Sequence, residues 1–205
     1  MNLIFKRVVH HFGYGLGAYE AKEMLGLLFE PTEGVPGFVY ILSRTTRRPR
    51  EVLQFTRLAH QNAADQKTRG ISTEAISRAE EEFSVWKLEH ICSEYLHIYP
   101  NLETLLRSFR GRQKRTSRPD FELAILEYQE SGNAKDAWVK KEIADILQIL
   151  YQIEFIGARR LGRSRGLIKE LDDFEFFYEA PSPNFNIIDE FLVHPAFWKA
   201  LELTT

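Results

Sequence analysis

A single cysteine, Cys92, stands among 205 residues. No intrachain disulfide can form, and no cysteine-based zinc site can be assembled. An excess of charge is missing too. Lys and Arg number 27 against 29 Asp and Glu, for a formal net charge of −2. A generally basic protein is thereby excluded, and any nucleic-acid surface has to be a local patch. No run reaches about 18 apolar residues, the usual minimum for a spanning helix. The opening MNLIFKRVVHHFGYGLG is too short and too interrupted for a secretory signal. The P-loop pattern GxxxxGKS/T is absent, and Gly13, Gly15 and Gly17 do not follow GxGxxG, so they read as a flexible turn. There is no serine nucleophile elbow and no distinctive acidic pair. Cys92 has no histidine or acid arranged to activate it. These absences predict a soluble chain of a reducing cytoplasm, with no catalytic residue, no cofactor and no bound metal.

An apolar fraction of 44% and fifteen Phe residues supply an ample core for one large domain or two small ones. Helical spacing is read at 18–29, at 37–45, and from Pro49 to about Gln66 with Val52, Phe55 and Ala59 on one face. Ser72 suits the N-cap of a long helix to about His97, whose buried stripe is Ile76, Ala79, Phe83, Trp86 and Ile91. Asn101 suits the N-cap of a short helix through Phe109. Residues 110–119 (RGRQKRTSRP) read as a basic loop near a domain boundary. Helices follow at 121–130 and 135–154. The period then changes: 155–160 and 174–178 read as two strands of a hairpin with a basic tip, and helical pieces close the chain at 186–193 and 195–202. Three helices followed by a hairpin outline a winged helix.

Arginines dominate the candidate sites. Arg44, Arg47, Arg48 and Arg50 crowd the start of the helix at Pro49, where the macrodipole and unpaired N–H groups already favour negative charge. Cations there are locally unfavourable, and a nearby anion would relieve them. Arg48 and Arg50 are the candidates for sensing a phosphate, and Arg44 belongs to the preceding helix. The same cluster reads equally as a solvated turn with internal salt bridges. A second set, Arg110, Arg112, Lys114, Arg115 and Arg118, fits phosphate-backbone contact or a solvated connector. A third lies on the hairpin and its tip: Arg159, Arg160, Arg163 and Arg165. Lys140 and Lys141 point outward from the helix that would enter a groove, among Glu142, Asp145 and Gln148, a mixed surface with few base readers. His90, Glu94 and His97 share one helix face at i, i+4 and i+7. Two histidines and a carboxylate can bind a metal, but they suit packing more often.

The stretches VPGFVYILSRTTRRPREVLQFTRLA, ISTEAISRAEEEFSVWKLEHICSEYLHIYPNLETLLRSF, ILYQIEFIGARR and FLVHPAFWKAL, with FEFFYEAPSPNF, resemble the C-terminal half of bacterial P-loop ATPases of the AAA type. There a helical lid and a winged-helix-like domain follow the ATPase core. The resemblance implies a mainly α protein: a lid-like helical bundle over 1–99 and a winged-helix-like domain with a small β-hairpin over 100–205. It implies a phosphate-sensing arginine at Arg50, with Arg48 second. The Walker lysine and acid are missing, so the ATPase would be a separate subunit or a lost part of a longer chain. The expected function is a non-enzymatic DNA-binding or adaptor subunit of a bacterial ATPase system, in a mobile-element or antiviral defence setting. A pure protein-interaction module is the rival.

Overall fold

The computed structural model describes residues 25–67, 70–132, 134–159, 171 and 173–205. The expected helix at 18–29 is described only from residue 25, and the hairpin tip with Arg160, Arg163 and Arg165 lies outside the described residues, as do Gly13, Gly15 and Gly17. The chain divides into two compact units, Met1–Glu82 and Phe83–Thr205. It is mainly helical, with one small antiparallel sheet. Among the described residues no helix is long and apolar enough to cross a membrane.

In the first unit, α1 spans Gly37–Ser43 and α2 spans Pro49–Asp65. Pro49 opens α2 where a missing N–H does no harm. Val52, Phe55, Ala59 and Ala63 bury one face of α2, at the spacing the sequence displays. A Cβ at Gly37 would lie 2.2 Å from the Glu30 carbonyl, so only glycine fits the start of α1. The third helix, α3, spans Thr73–Glu94, and the division between the units falls within it. Ser72 is its N-cap: the Ala75 N–H donates to Ser72 Oγ at 3.1 Å. The helix ends at Glu94 rather than near His97, and residues 95–98 form turns.

The second unit adds α4 (Leu102–Arg107), β1 (Arg115–Ser117), α5 (Arg118–Glu130), α6 (Ile143–Gln152), β2 (Ile156–Arg159), β3 (Phe174–Glu175) and β4 (Glu190–Val193). Strand order is β1-β4-β2-β3, antiparallel throughout. The expected hairpin is the β2–β3 pair, with Ala158 opposite Glu175 and Arg159 opposite Phe174. Two further strands correct the sequence reading. The helical piece expected at 186–193 is a 3-10 turn (Phe185–Ile187) followed by β4, which pairs with both β1 and β2. Phe191, Leu192 and Val193 are all buried. Three consecutive buried residues suit a strand covered on both faces, not the one-sided face of a helix.

Residues 110–119 are likewise no free loop. They contain β1, and Arg118 is already the first residue of α5, whose N-cap is Ser117. Asn101, the expected cap of α4, makes no side-chain cap bond. Its backbone is left-handed and its amide donates to Asp136 at 2.8 Å. The helix expected over 135–154 begins only at Ile143, with Glu142 at the N-cap position. Residues 137–140 are turns, closed by the Val139 N–H on Asp136 O (3.2 Å) and the Lys140 N–H on Ala137 O (3.3 Å), and side chains add to these bonds. Gln129 Nε2 donates to the carbonyls of Val139 (2.6 Å) and Lys141 (3.1 Å), and Trp138 Nε1 donates to Pro100 O (2.9 Å). The last piece, expected as a helix over 195–202, is a 3-10 turn at Pro195–Phe197 capped by His194 Nδ1, then turns.

An aromatic core ties the second unit together. Phe121 of α5 stacks on Phe109 (4.7 Å) and meets Phe191 of β4 (5.4 Å). Phe155 contacts Phe109 (5.6 Å) and Phe197 (5.2 Å). Full burial of each such side chain is worth about 1.5–3 kcal/mol.

Candidate functional site

Two arginine sets meet different surroundings. The first surrounds the start of α2. Arg44 caps the C-terminus of α1, as expected, and turns inward. Its Nε lies 3.0 Å from Glu80 Oε1, with both side chains 4% exposed. Tyr40 Oη donates to Glu80 Oε2 at 2.7 Å, and the Arg44 guanidinium lies 4.4 Å from the Tyr40 ring centre. Burial pushes the Tyr40 phenol well above its usual range, with Arg44 opposing and Glu80 reinforcing the shift. Burial weakens the Arg44 cation, yet Glu80 and Tyr40 hold it firmly charged. Arg44 is therefore a structural ion pair.

The next residues form a fixed turn. Glu51, in the first turn of α2, is buried and accepts both the Thr46 N–H and the Thr46 hydroxyl at 2.8 Å. The Glu51 carboxylate is thus turned inward, toward Thr46. Arg47 follows in a left-handed backbone conformation (φ 59°) and is exposed. Arg48 is the N-cap residue, without a side-chain cap bond. Arg48, Pro49, Arg50, Leu53, Gln54 and Arg57 line an open groove of about 570 Å³. The structure therefore brings Arg48 and Arg50 together. It adds Arg57, which the sequence reading did not single out. The signal was available: Arg57 is seven residues after Arg50, two turns on along the same face.

The second set lies in the second unit, and there the arginines are matched by carboxylates. Arg112 pairs with Glu127 (2.5 Å), Arg118 with Glu122 (2.6 Å), and Arg110 with Glu202. Arg115 is bidentate on Glu190 (2.5 and 2.7 Å), which Arg159 also approaches (3.2 Å). The hydrogen bond from Arg115 lowers the Glu190 carboxyl below its usual range. Lys114 places Nζ 4.3 Å from the Trp198 ring centre. Exposed pairs of this kind contribute little to stability, because water and salt screen them. Each carboxylate offsets part of the positive charge of its arginine. Lys140 and Lys141 are exposed, but they precede α6 instead of projecting from it.

Of the remaining candidates, His90 packs on a neighbouring ring, whereas Glu94 and His97 are exposed. His90 stacks on Trp86 with ring centres 4.9 Å apart, and His97 lies past the end of α3, in the turns at 95–98. Among the described residues no cluster of three His, Cys, Asp or Glu side chains could hold a metal ion. Burial, with Glu103 adding to it, pushes the Cys92 thiol up to about 12, so it carries almost no thiolate near neutral pH.

With this geometry in place, comparison with known proteins adds two similarities. Residues 1–92 match the model of a family described as a FunZ-associated C-terminal helical domain. The chain is also 26% identical over 182 residues to the "Putative transposon gamma-delta 80.3 kDa protein" of Escherichia coli (strain K12). That match covers 83% of this chain and 24% of the relative, so the chain spans about a quarter of that protein's length. No solved structure matches the chain.

Proposed function

We propose that this chain is a non-enzymatic accessory module of a mobile-element protein. In this reading it engages a phosphate-bearing partner through Arg48 and Arg50 and relays that contact through an adaptor domain. One observation carries it: Arg48, Arg50 and Arg57 line one open groove at the start of α2, and the Glu51 carboxylate beside them in sequence is turned inward to Thr46. Arginine forks at a helix start suit phosphate oxygens in geometry as well as charge. The similarity to a C-terminal helical domain and to a transposon-named protein supports the accessory role and the mobile-element setting.

Finer parts of the reading go with it. The phosphate belongs to the nucleotide of a P-loop ATPase partner or to DNA. Residues 1–99 act as the lid-like part and 100–205 as the winged-helix-like part. Arg110, Arg112, Lys114, Arg115, Arg118, Lys140, Lys141, Arg159, Arg160, Arg163 and Arg165 supply the secondary DNA contacts, in a cytoplasmic setting. The rival, a pure protein adaptor, draws on the paired charges of the second unit. Calorimetric titration with ATP, ADP and pyrophosphate separates the two. Binding that is lost in Arg48→Ala/Arg50→Ala supports the phosphate reading. Absence of binding by all three anions at low salt, together with absence of DNA binding, favours the pure adaptor.

A further inference from the structure

From its first turn onward, α2 presents a ridge to solvent. Arg50, Gln54, Arg57 and Gln61 follow one another at i, i+4, i+7 and i+11, the spacing of a single helix face. Arg50, Arg57 and Gln61 are exposed and Gln54 is half-buried. At 1.5 Å per residue the ridge is about 16 Å long. These four residues include no acid, Glu51 being buried against Thr46; the same face meets its first acid at exposed Asp65, one turn past Gln61 at the last residue of the helix.

We infer that this ridge is a nucleic-acid backbone contact, with Arg50 and Arg57 on phosphates and Gln54 and Gln61 donating hydrogen bonds beside them. The inference rests on the phosphate reading above and names its ligand. Length argues for a polynucleotide. The ridge extends well past the phosphates of one mononucleotide and matches about four or five base steps of a strand at 3.4 Å each. Composition argues against an acidic protein. Protein interfaces centre on an apolar, often aromatic core, whereas Leu53 is the one large apolar side chain in the groove. Protein–DNA interfaces are polar and strongly positive, and amide side chains commonly accompany arginine on the backbone. Readout is of backbone, not of sequence, because phosphate contacts position a protein without reading bases.

The test uses the full chain and a fluorescently labelled oligonucleotide, single-stranded and duplex, titrated at about 50 and about 200 mM salt. Arg57→Glu is expected to weaken binding at least about tenfold, one charge-assisted contact being replaced by a repulsion. Arg57→Ala is expected to flatten the logarithmic salt slope by about one. Arg57 is exposed, and circular dichroism and a melting curve check that each variant stays folded. Gln61→Glu provides a second, milder reversal on the same ridge. Unchanged affinity and salt slope in these folded variants overturns the inference. So does poly-glutamate binding as tightly as an oligonucleotide of equal charge, which assigns the ridge to an acidic protein. Binding of pyrophosphate but not of oligonucleotide overturns the inference while leaving the Arg48 and Arg50 reading intact. Failure of both sinks the two together.

Discussion

Arg44 and Glu80 form an ion pair of 3.0 Å inside the first unit, with neither side chain more than 4% exposed. The chain separates its arginines by this means: Arg44 is held in the interior, while Arg47 follows on an exposed turn and Arg48 and Arg50 at the start of α2. Removing one member leaves the other charged and buried. Glu80→Leu or Arg44→Met is therefore expected to destabilise by about 3–5 kcal/mol. The double replacement costs less than the sum of the two, because no charge is left alone. Denaturant unfolding of the three variants measures the coupling. Additive losses would show that the pair is not coupled.

Gly157 of β2 faces the ring of Phe176, and a Cβ there would lie 2.7 Å from its nearest carbon. Phe176 has little room to retreat, since it is buried with His194 4.5 Å away. Gly157→Ala is expected to lower stability by about 1–3 kcal/mol, the usual cost of overpacking. Phe176→Leu in the same chain should recover part of that loss. Thermal unfolding of the single and double variants checks it, and a Gly157→Ala protein as stable as the parent contradicts the packing described.

Acid should act on β4 through Glu190. Its carboxyl is held below the ordinary range, chiefly by the hydrogen bond from Arg115. A depressed carboxyl contributes stability above its unfolded pKa, and that contribution disappears as pH falls through the folded value. Loss is thus expected below the ordinary glutamate range, about 4.3. In Arg115→Met the Glu190 carboxyl should titrate at a higher pH, which NMR of the side-chain carboxyl carbon reads directly. Arg159 stays beside Glu190, so the rise should be partial.

The helix caps give a smaller and cleaner effect. Ser72 accepts the Ala75 N–H and Ser117 accepts the Asp120 N–H, each at the start of a helix. Ser72→Ala is expected to cost about 1 kcal/mol and Ser117→Ala somewhat less, given its longer 3.4 Å bond. Chemical denaturation of each variant measures the difference, and Ser117→Ala costing clearly more than Ser72→Ala would reverse the order.

Helices with strong one-sided spacing were legible in the sequence. Pro49–Asp65 and Thr73–Glu94 lie close to where Pro49, Ser72 and the apolar stripes put them, because local signals fix those ends. Fold class was legible for the same reason. The sheet was only half legible. The β2–β3 pair is a hairpin, but β4 joins β2 and β1 across long sequence separations, where no turn signal announces the pairing. The segment at 134–142 mimics a helix in composition, yet Gln129 donates to its Val139 and Lys141 carbonyls and its own Trp138 donates to Pro100 O. At the candidate site, Arg48 and Arg50 were visible as sequence neighbours. The inward turn of Glu51 and the ion pairing of Arg112, Arg115 and Arg118 were not, because each depends on which carboxylate folding brings near.

The central claim is the location of the phosphate contact, and backbone amide shifts report location directly. We would titrate the uniformly ¹⁵N-labelled full chain with pyrophosphate and follow its amide spectrum. The account predicts saturable shifts concentrated at residues 46–57, abolished in Arg48→Ala/Arg50→Ala. Shifts concentrated instead at 110–118 or 140–141, or none that saturate, would contradict it.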